Sequence, residues 1–184
     1  MRRAATILMC IMALAFVASG LIFATSATPA QDLPWQIAAL TDQPDPDGLA
    51  TIYLRPEHPA MWLMLGGLWL AVIVFAARRF WPSEQRPDLN LADLSLLIGA
   101  FAAGAAWPWI AIGAPLAGFL LCVLMLVAVI AAARRTNSDG RLGRHPLIGI
   151  LAGWTTVVTF AAFTAFLTER MPLPIELTTL VGAH

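Results

Sequence analysis

Between Leu91 and Ala133 the sequence runs for 43 residues with one charged side chain, Asp93. A stretch that long and that apolar is stable where water is absent, and the lipid bilayer is the solvent that meets this condition. It is too long for one crossing, because a hydrocarbon core ~30 Å thick takes roughly 20 residues rising ~1.5 Å each. Trp107-Pro108-Trp109 and Gly113-Ala114-Pro115 interrupt it with hairpin chemistry. The stretch therefore reads as two spans, 92–109 and 115–133, joined by a tight hairpin. Three more apolar runs have spanning length: Ala4–Ala24, 59–77 and 146–167. The composition agrees, at 59% hydrophobic and 12% charged, where a soluble domain carries about 25% charged residues. The expected fold class is all-α, an integral membrane bundle of about five transmembrane helices.

Arginine placement sets the expected orientation. With the N-terminus in the cytoplasm, nine of the eleven arginines (Arg2, Arg3, Arg78, Arg79, Arg86, Arg134, Arg135, Arg141 and Arg144) fall inside. Arg55 and Arg170 fall outside. That asymmetry is the positive-inside pattern. Residues 1–27 then form a first transmembrane helix or signal anchor, and 28–58 an extracytoplasmic loop rich in Pro and Asp. Residues 59–167 form a four-helix membrane domain, and 168–184 an extracytoplasmic tail. Thr25-Ser26-Ala27 and Thr28-Pro29-Ala30 offer cleavage sites, so a removed signal peptide stays open for the first segment. Its apolar run exceeds the usual ~7–15 residues of a signal peptide, which favours retention.

Chemistry within the membrane has few side chains to work with. Asp93 stands at a span edge, where a carboxylate favours the positive end of a helix dipole. The spans hold no deeper ionisable group, which disfavours proton relays and voltage sensing. Cys10 and Cys122 lie within apolar runs and read as small packing residues. His58, His145 and His184 fall on different sides or at the terminus and cannot share one metal. His58 beside Pro59 is a candidate to cap a pocket or assist a heme-like ligand from the outer face. No nucleophile–base pair appears, so an enzyme is not expected. The arginines flank apolar spans and form no patch with interleaved aromatics, so no nucleic-acid partner is expected either.

The seven tryptophans are the richer signal. Trp35, Trp81, Trp107 and Trp109 lie near expected span boundaries, where indoles gather. Trp62, Trp69 and Trp154 lie inside spans. Trp62 and Trp69 are seven residues apart and share a helix face. An indole gives a large flat surface and one N–H donor, which suits a planar apolar ligand with polar edges. Ordinary packing accounts for the same pattern. Small residues mark close helix approach: Gly149 with Gly153, Gly99 with Ala103, and Ala100 with Gly104. Spacing alone leaves intramolecular packing, homo-oligomerisation and contact with another membrane protein all open. Thr155 and Thr159 are placed to bond backbone carbonyls or to reach across helices.

Three segments together resemble the TspO/MBR-related, tryptophan-rich sensory proteins of bacteria, in their longer and poorly characterised branch. They are Pro59-Ala60-Met61-Trp62-Leu63-Met64-Leu65-Gly66-Gly67-Leu68-Trp69, then Gly104-Ala105-Ala106-Trp107 followed by a hairpin and an aliphatic helix ending in Arg134-Arg135, then Leu151-Ala152-Gly153-Trp154-Thr155-Thr156-Val157. Their order and spacing match over roughly residues 59–167. The Trp-x-Pro-Pro loop of the founding members is absent. Longer relatives continue with further helices where this sequence ends at His184, which leaves a shortened member and an incomplete product both open. The resemblance implies a helical bundle in the bacterial inner membrane with a pocket for a porphyrin, heme-like or other flat hydrophobic ligand. It implies Trp62, Trp69, Trp107 and Trp154 as the pocket residues. The expected function is a non-enzymatic sensor or receptor. The alternatives are a structural or assembly subunit of a larger membrane complex, and a transporter component.

Overall fold

A computed structural model describes residues 2–25, 59–80, 89–138 and 146–170. Five helices fill them: α1 (Arg2–Thr25), α2 (Pro59–Phe80), α3 (Leu91–Gly113), α4 (Pro115–Ser138) and α5 (Pro146–Arg170). The protein is an all-α, multi-pass membrane bundle. All five helices are long and apolar enough to cross a bilayer. They have 22 to 25 residues, or about 33–38 Å at the α-helical rise. Helix α4 runs five residues past its apolar run, to Ser138, and α3 runs four residues past 109, to Gly113. Only 33–44% of each span is buried inside the protein. The remaining surface is apolar, as at Leu63 and Met64, which are 78% and 73% exposed. Such a surface belongs against lipid tails.

Helix α3 packs against both α1 and α4, α4 packs against α5, and α2 packs against α1 and touches α5. The helices thus close a ring in the order α1, α3, α4, α5, α2, and α2 against α5 is the weakest of its interfaces. Helix α1 buries Met9, Cys10, Ala13, Phe16 and Phe23 in this ring. Its N-terminal end is tied to the segment just before α3 by Arg2, whose guanidinium donates to the Leu89 carbonyl at 3.1 and 3.3 Å. Farther along, the Cys10 thiol lies 3.7 Å from the Ala76 carbonyl of α2. Thr159 of α5 donates to the Cys122 carbonyl of α4 at 3.2 Å and to the Thr155 carbonyl at 2.7 Å. The threonine therefore acts both within its own helix and across to the next.

The α3–α4 turn is tighter than the hairpin expected from Trp107-Pro108-Trp109. Helix α3 does not stop near Trp109; it passes through Pro108 to Gly113. Proline has no N–H to donate to the Gly104 carbonyl and would break a helix in water. In a bilayer, neighbouring helices can re-satisfy the disturbed backbone. Here the Ser19 hydroxyl of α1 donates to the adjacent Ala105 carbonyl at 2.6 Å. Chain reversal falls on Ala114 alone, whose φ and ψ of −149° and 78° are non-helical, as the residue before a proline prefers. Pro115 then opens α4, where its missing N–H costs nothing. A Cβ on Gly118 would stand 2.8 Å from the Ala111 Cα and Cβ, so only glycine lets α4 cross α3 this close to the turn.

Asn90 caps α3 by accepting from the Asp93 N–H at 2.9 Å, and the Asp93 carboxylate faces the Asn90 N–H at 3.4 Å. Asp93 also accepts from Arg135 Nε of α4 at 2.7 Å. The two sides of this pair differ: the Asp93 side chain is 4% exposed and that of Arg135 is 46% exposed. A lone Arg135 can be solvated, whereas a lone Asp93 carboxylate stays buried. Arg135→Ala should therefore destabilise the bundle by about 1–3 kcal/mol. Asp93→Asn, which keeps the cap acceptor, should cost below about 1 kcal/mol. Titrated unfolding in mixed detergent micelles measures both, and an equal or reversed order would contradict this account of the pair.

Candidate functional site

Three of the four tryptophans singled out from sequence line one cleft at the centre of the ring: Trp69 of α2, Trp107 of α3 and Trp154 of α5. Trp62 does not line it. It lies on the same face of α2 as Trp69, edge-on to that ring at 6.5 Å between centroids, and is 37% exposed. It extends the indole surface outward from the cleft.

Helix α1 supplies the residues that sequence reasoning missed. Phe16 and Gly20, one turn apart, share the face that lines the cleft. Phe16 is the hub of the aromatic packing. Its ring meets Phe101 at 5.8 Å and stands edge-on to Trp154 at 5.5 Å. Trp154 in turn stands edge-on to Trp107 at 6.4 Å. These are the offset and T-shaped geometries that aromatic quadrupoles favour. Gly20 matters by what it lacks, since a Cβ there would lie 3.1 Å from Trp69 Nε1. The four-residue spacing of Phe16 and Gly20 is the signal in the sequence that places both on one face of α1.

Trp107 is fully buried, at 0% exposure. Its Nε1–H has no hydrogen-bond partner among the described residues. Trp109, two residues on, contrasts with it: its Nε1–H donates to Ser19 Oγ at 2.7 Å. Buried indoles normally find such a partner, and an unmatched N–H costs about 1–3 kcal/mol.

The cleft is small and uncharged. Its volume is about 20 Å³, and no ionisable side chain lines it. Space of that size takes about one water-sized group. Among the described residues no three His, Cys, Asp or Glu side chains come together to hold a metal. Trp35, Trp81, His58, His145 and His184 lie outside the described residues. No family model, curated protein or solved structure matches this chain.

The small-residue stripes resolve into two kinds. Gly104 faces inward: a Cβ there would meet Phe16 Cδ2 at 2.7 Å, Phe16 Cε2 at 2.8 Å and Met125 Sδ at 3.1 Å. Gly99, Gly149 and Gly153 are exposed, with nothing within 4 Å of an added Cβ. Gly104→Ala should displace Phe16 and through it Trp154, lowering stability by about 1–3 kcal/mol. Gly99→Ala on the same helix should be neutral or slightly stabilising. Near-UV circular dichroism of the detergent-solubilised protein should weaken for Gly104→Ala alone. Matching spectra for both variants would remove Gly104 as the residue that seats the aromatic cluster.

Proposed function

We propose that this protein is a non-enzymatic receptor of the bacterial inner membrane, N-terminus in the cytoplasm, that takes up a flat hydrophobic molecule between Trp69, Trp107 and Trp154. One observation carries the reading: Trp107, wholly buried and with its N–H unmatched among the described residues, stands in the wall of a cleft shared with two other indoles and Phe16. Aromatic walls with one polar group are the usual make-up of a small-molecule site. The resemblance of segments 59–69, 104–107 and 151–157 to tryptophan-rich sensory proteins supports the same reading and puts tetrapyrroles among the candidate ligands. The cleft at about 20 Å³ does not enclose a macrocycle, since drug-sized pockets run to roughly 300–1,000 Å³. Occupation by a large ring therefore requires the ring of helices to part. Its weakest interface, α2 against α5, brings together the helices that carry Trp69 and Trp154.

Porphyrin titration of the full chain in nanodiscs, read by tryptophan fluorescence, tests this proposal. Saturable quenching is expected, reduced several-fold in Trp107→Leu and Trp154→Leu and less in Trp62→Leu. Absence of saturation, or the same affinity in all three variants, would defeat it.

A second reading is favoured by the outward glycines of α5. Gly149 and Gly153 offer an unfilled surface where another helix backbone can approach closely. This fits a subunit of a larger membrane complex. On that reading a stoichiometric partner co-purifies in mild detergent, and Gly149→Leu with Gly153→Leu removes it while leaving the bundle folded. Recovery without a partner counts against it.

A further inference from the structure

We propose that Arg3, Arg78 and Arg134 each hold the head group of an anionic phospholipid, a role that needs only the spanning helices and not the cleft. Three arginine pairs stand at one end of the bundle: Arg2-Arg3 at the start of α1, Arg78-Arg79 at the end of α2 and Arg134-Arg135 near the end of α4. Contacts between helices bring these ends together. Arg2 reaches the Leu89 carbonyl beside the start of α3, and Arg135 reaches Asp93 in the first turn of α3. The Cys10 thiol lies against the Ala76 carbonyl, which sets the start of α1 beside the end of α2.

Each pair is divided in its work. One member engages the protein: Arg2 on the Leu89 carbonyl, Arg79 over the Phe75 ring at 4.8 Å, and Arg135 on Asp93. The other member is one residue away, about 100° around the helix, and is exposed. Each of these exposed arginines heads a stripe of exposed apolar side chains at helical spacing. Arg3 is followed by Ile7 and Leu14, Arg78 is preceded by Val74 and Leu70, and Arg134 by Ile130 and Val127. A cation at the membrane surface with an apolar track running inward from it is complementary to a phospholipid. The guanidinium fork matches two phosphate oxygens, and the acyl chain lies along the track. Charge then selects among lipids. Among the described residues this end of the bundle carries six arginines and one carboxylate, Asp93, which is buried and paired with Arg135. A zwitterionic head group brings an ammonium with its phosphate, and the neighbouring arginines repel it. A head group of net negative charge gains from every arginine near the surface.

The probes are spin-labelled phosphatidylglycerol and phosphatidylcholine, which share acyl chains and a phosphate and differ in net charge. Electron paramagnetic resonance of the full chain in phosphatidylcholine bilayers reads the share of each probe in the lipid shell that touches the protein. Phosphatidylglycerol should associate about two- to fivefold more strongly. Raising NaCl to about 1 M should bring that ratio toward one, because exposed charges are screened. The salt measurement uses the unaltered chain and so does not depend on the folding of any variant. Arg3→Gln combined with Arg134→Gln should remove at least half of the preference. Arg2→Gln combined with Arg79→Gln takes away the same charge from the members that engage the protein, and should remove clearly less. Equal association of the two probes overturns the proposal, as does a preference that salt leaves unchanged. An equal or larger loss in the Arg2/Arg79 variant overturns it too.

Discussion

Lipid tails are as apolar as the helix faces they touch, so once the helices are in the bilayer the hydrophobic effect no longer draws them together. Everything that holds this bundle must come from close packing and from a few polar contacts. The packing is arranged by glycines. Gly118 lets α4 pass Ala111 directly after the turn, and Gly104 admits the Phe16 ring between α1 and α3. The polar contacts are few, and several bridge different helices: Arg2 to Leu89, Ser19 to Ala105, Thr159 to Cys122, and Asp93 with Arg135. Two of these lie where the arginine-bearing ends of α1 and α4 meet the N-terminal end of α3. The others lie along the spans, where a hydroxyl can serve a carbonyl without introducing charge.

Helix α3 is where these constraints meet. It touches both α1 and α4. Its capped N-terminus is fixed by the ion pair, and its far half contains the proline. Pro108 removes one rung of the backbone ladder, and the Ser19 hydroxyl supports the neighbouring carbonyl while accepting from Trp109. One serine on α1 therefore bonds α3 on both sides of its proline.

The spans were readable because burial in lipid demands uninterrupted apolar length, which no tertiary contact can disguise. Trp62 and Trp69 were readable as one face because seven residues make about two turns. Asp93 was readable as an end-of-helix group for the same local reason. What was hidden depends on contacts distant in sequence. Arg135 lies 42 positions from Asp93, and Ser19 lies 90 from Trp109. Pro108 beside two tryptophans reads locally as a breaker, and only a neighbouring helix decides otherwise. The Gly149/Gly153 motif says that a backbone can come close, but not from which side, and here the bundle itself leaves that side open.

The unmatched N–H of Trp107 stands out against such economy. In a structure where Trp109, Ser19, Thr136, Thr155 and Thr159 each find an acceptor, a buried donor without one sits at a local energetic disadvantage. The lightest interface of the ring, α2 against α5, joins the helices that carry Trp69 and Trp154.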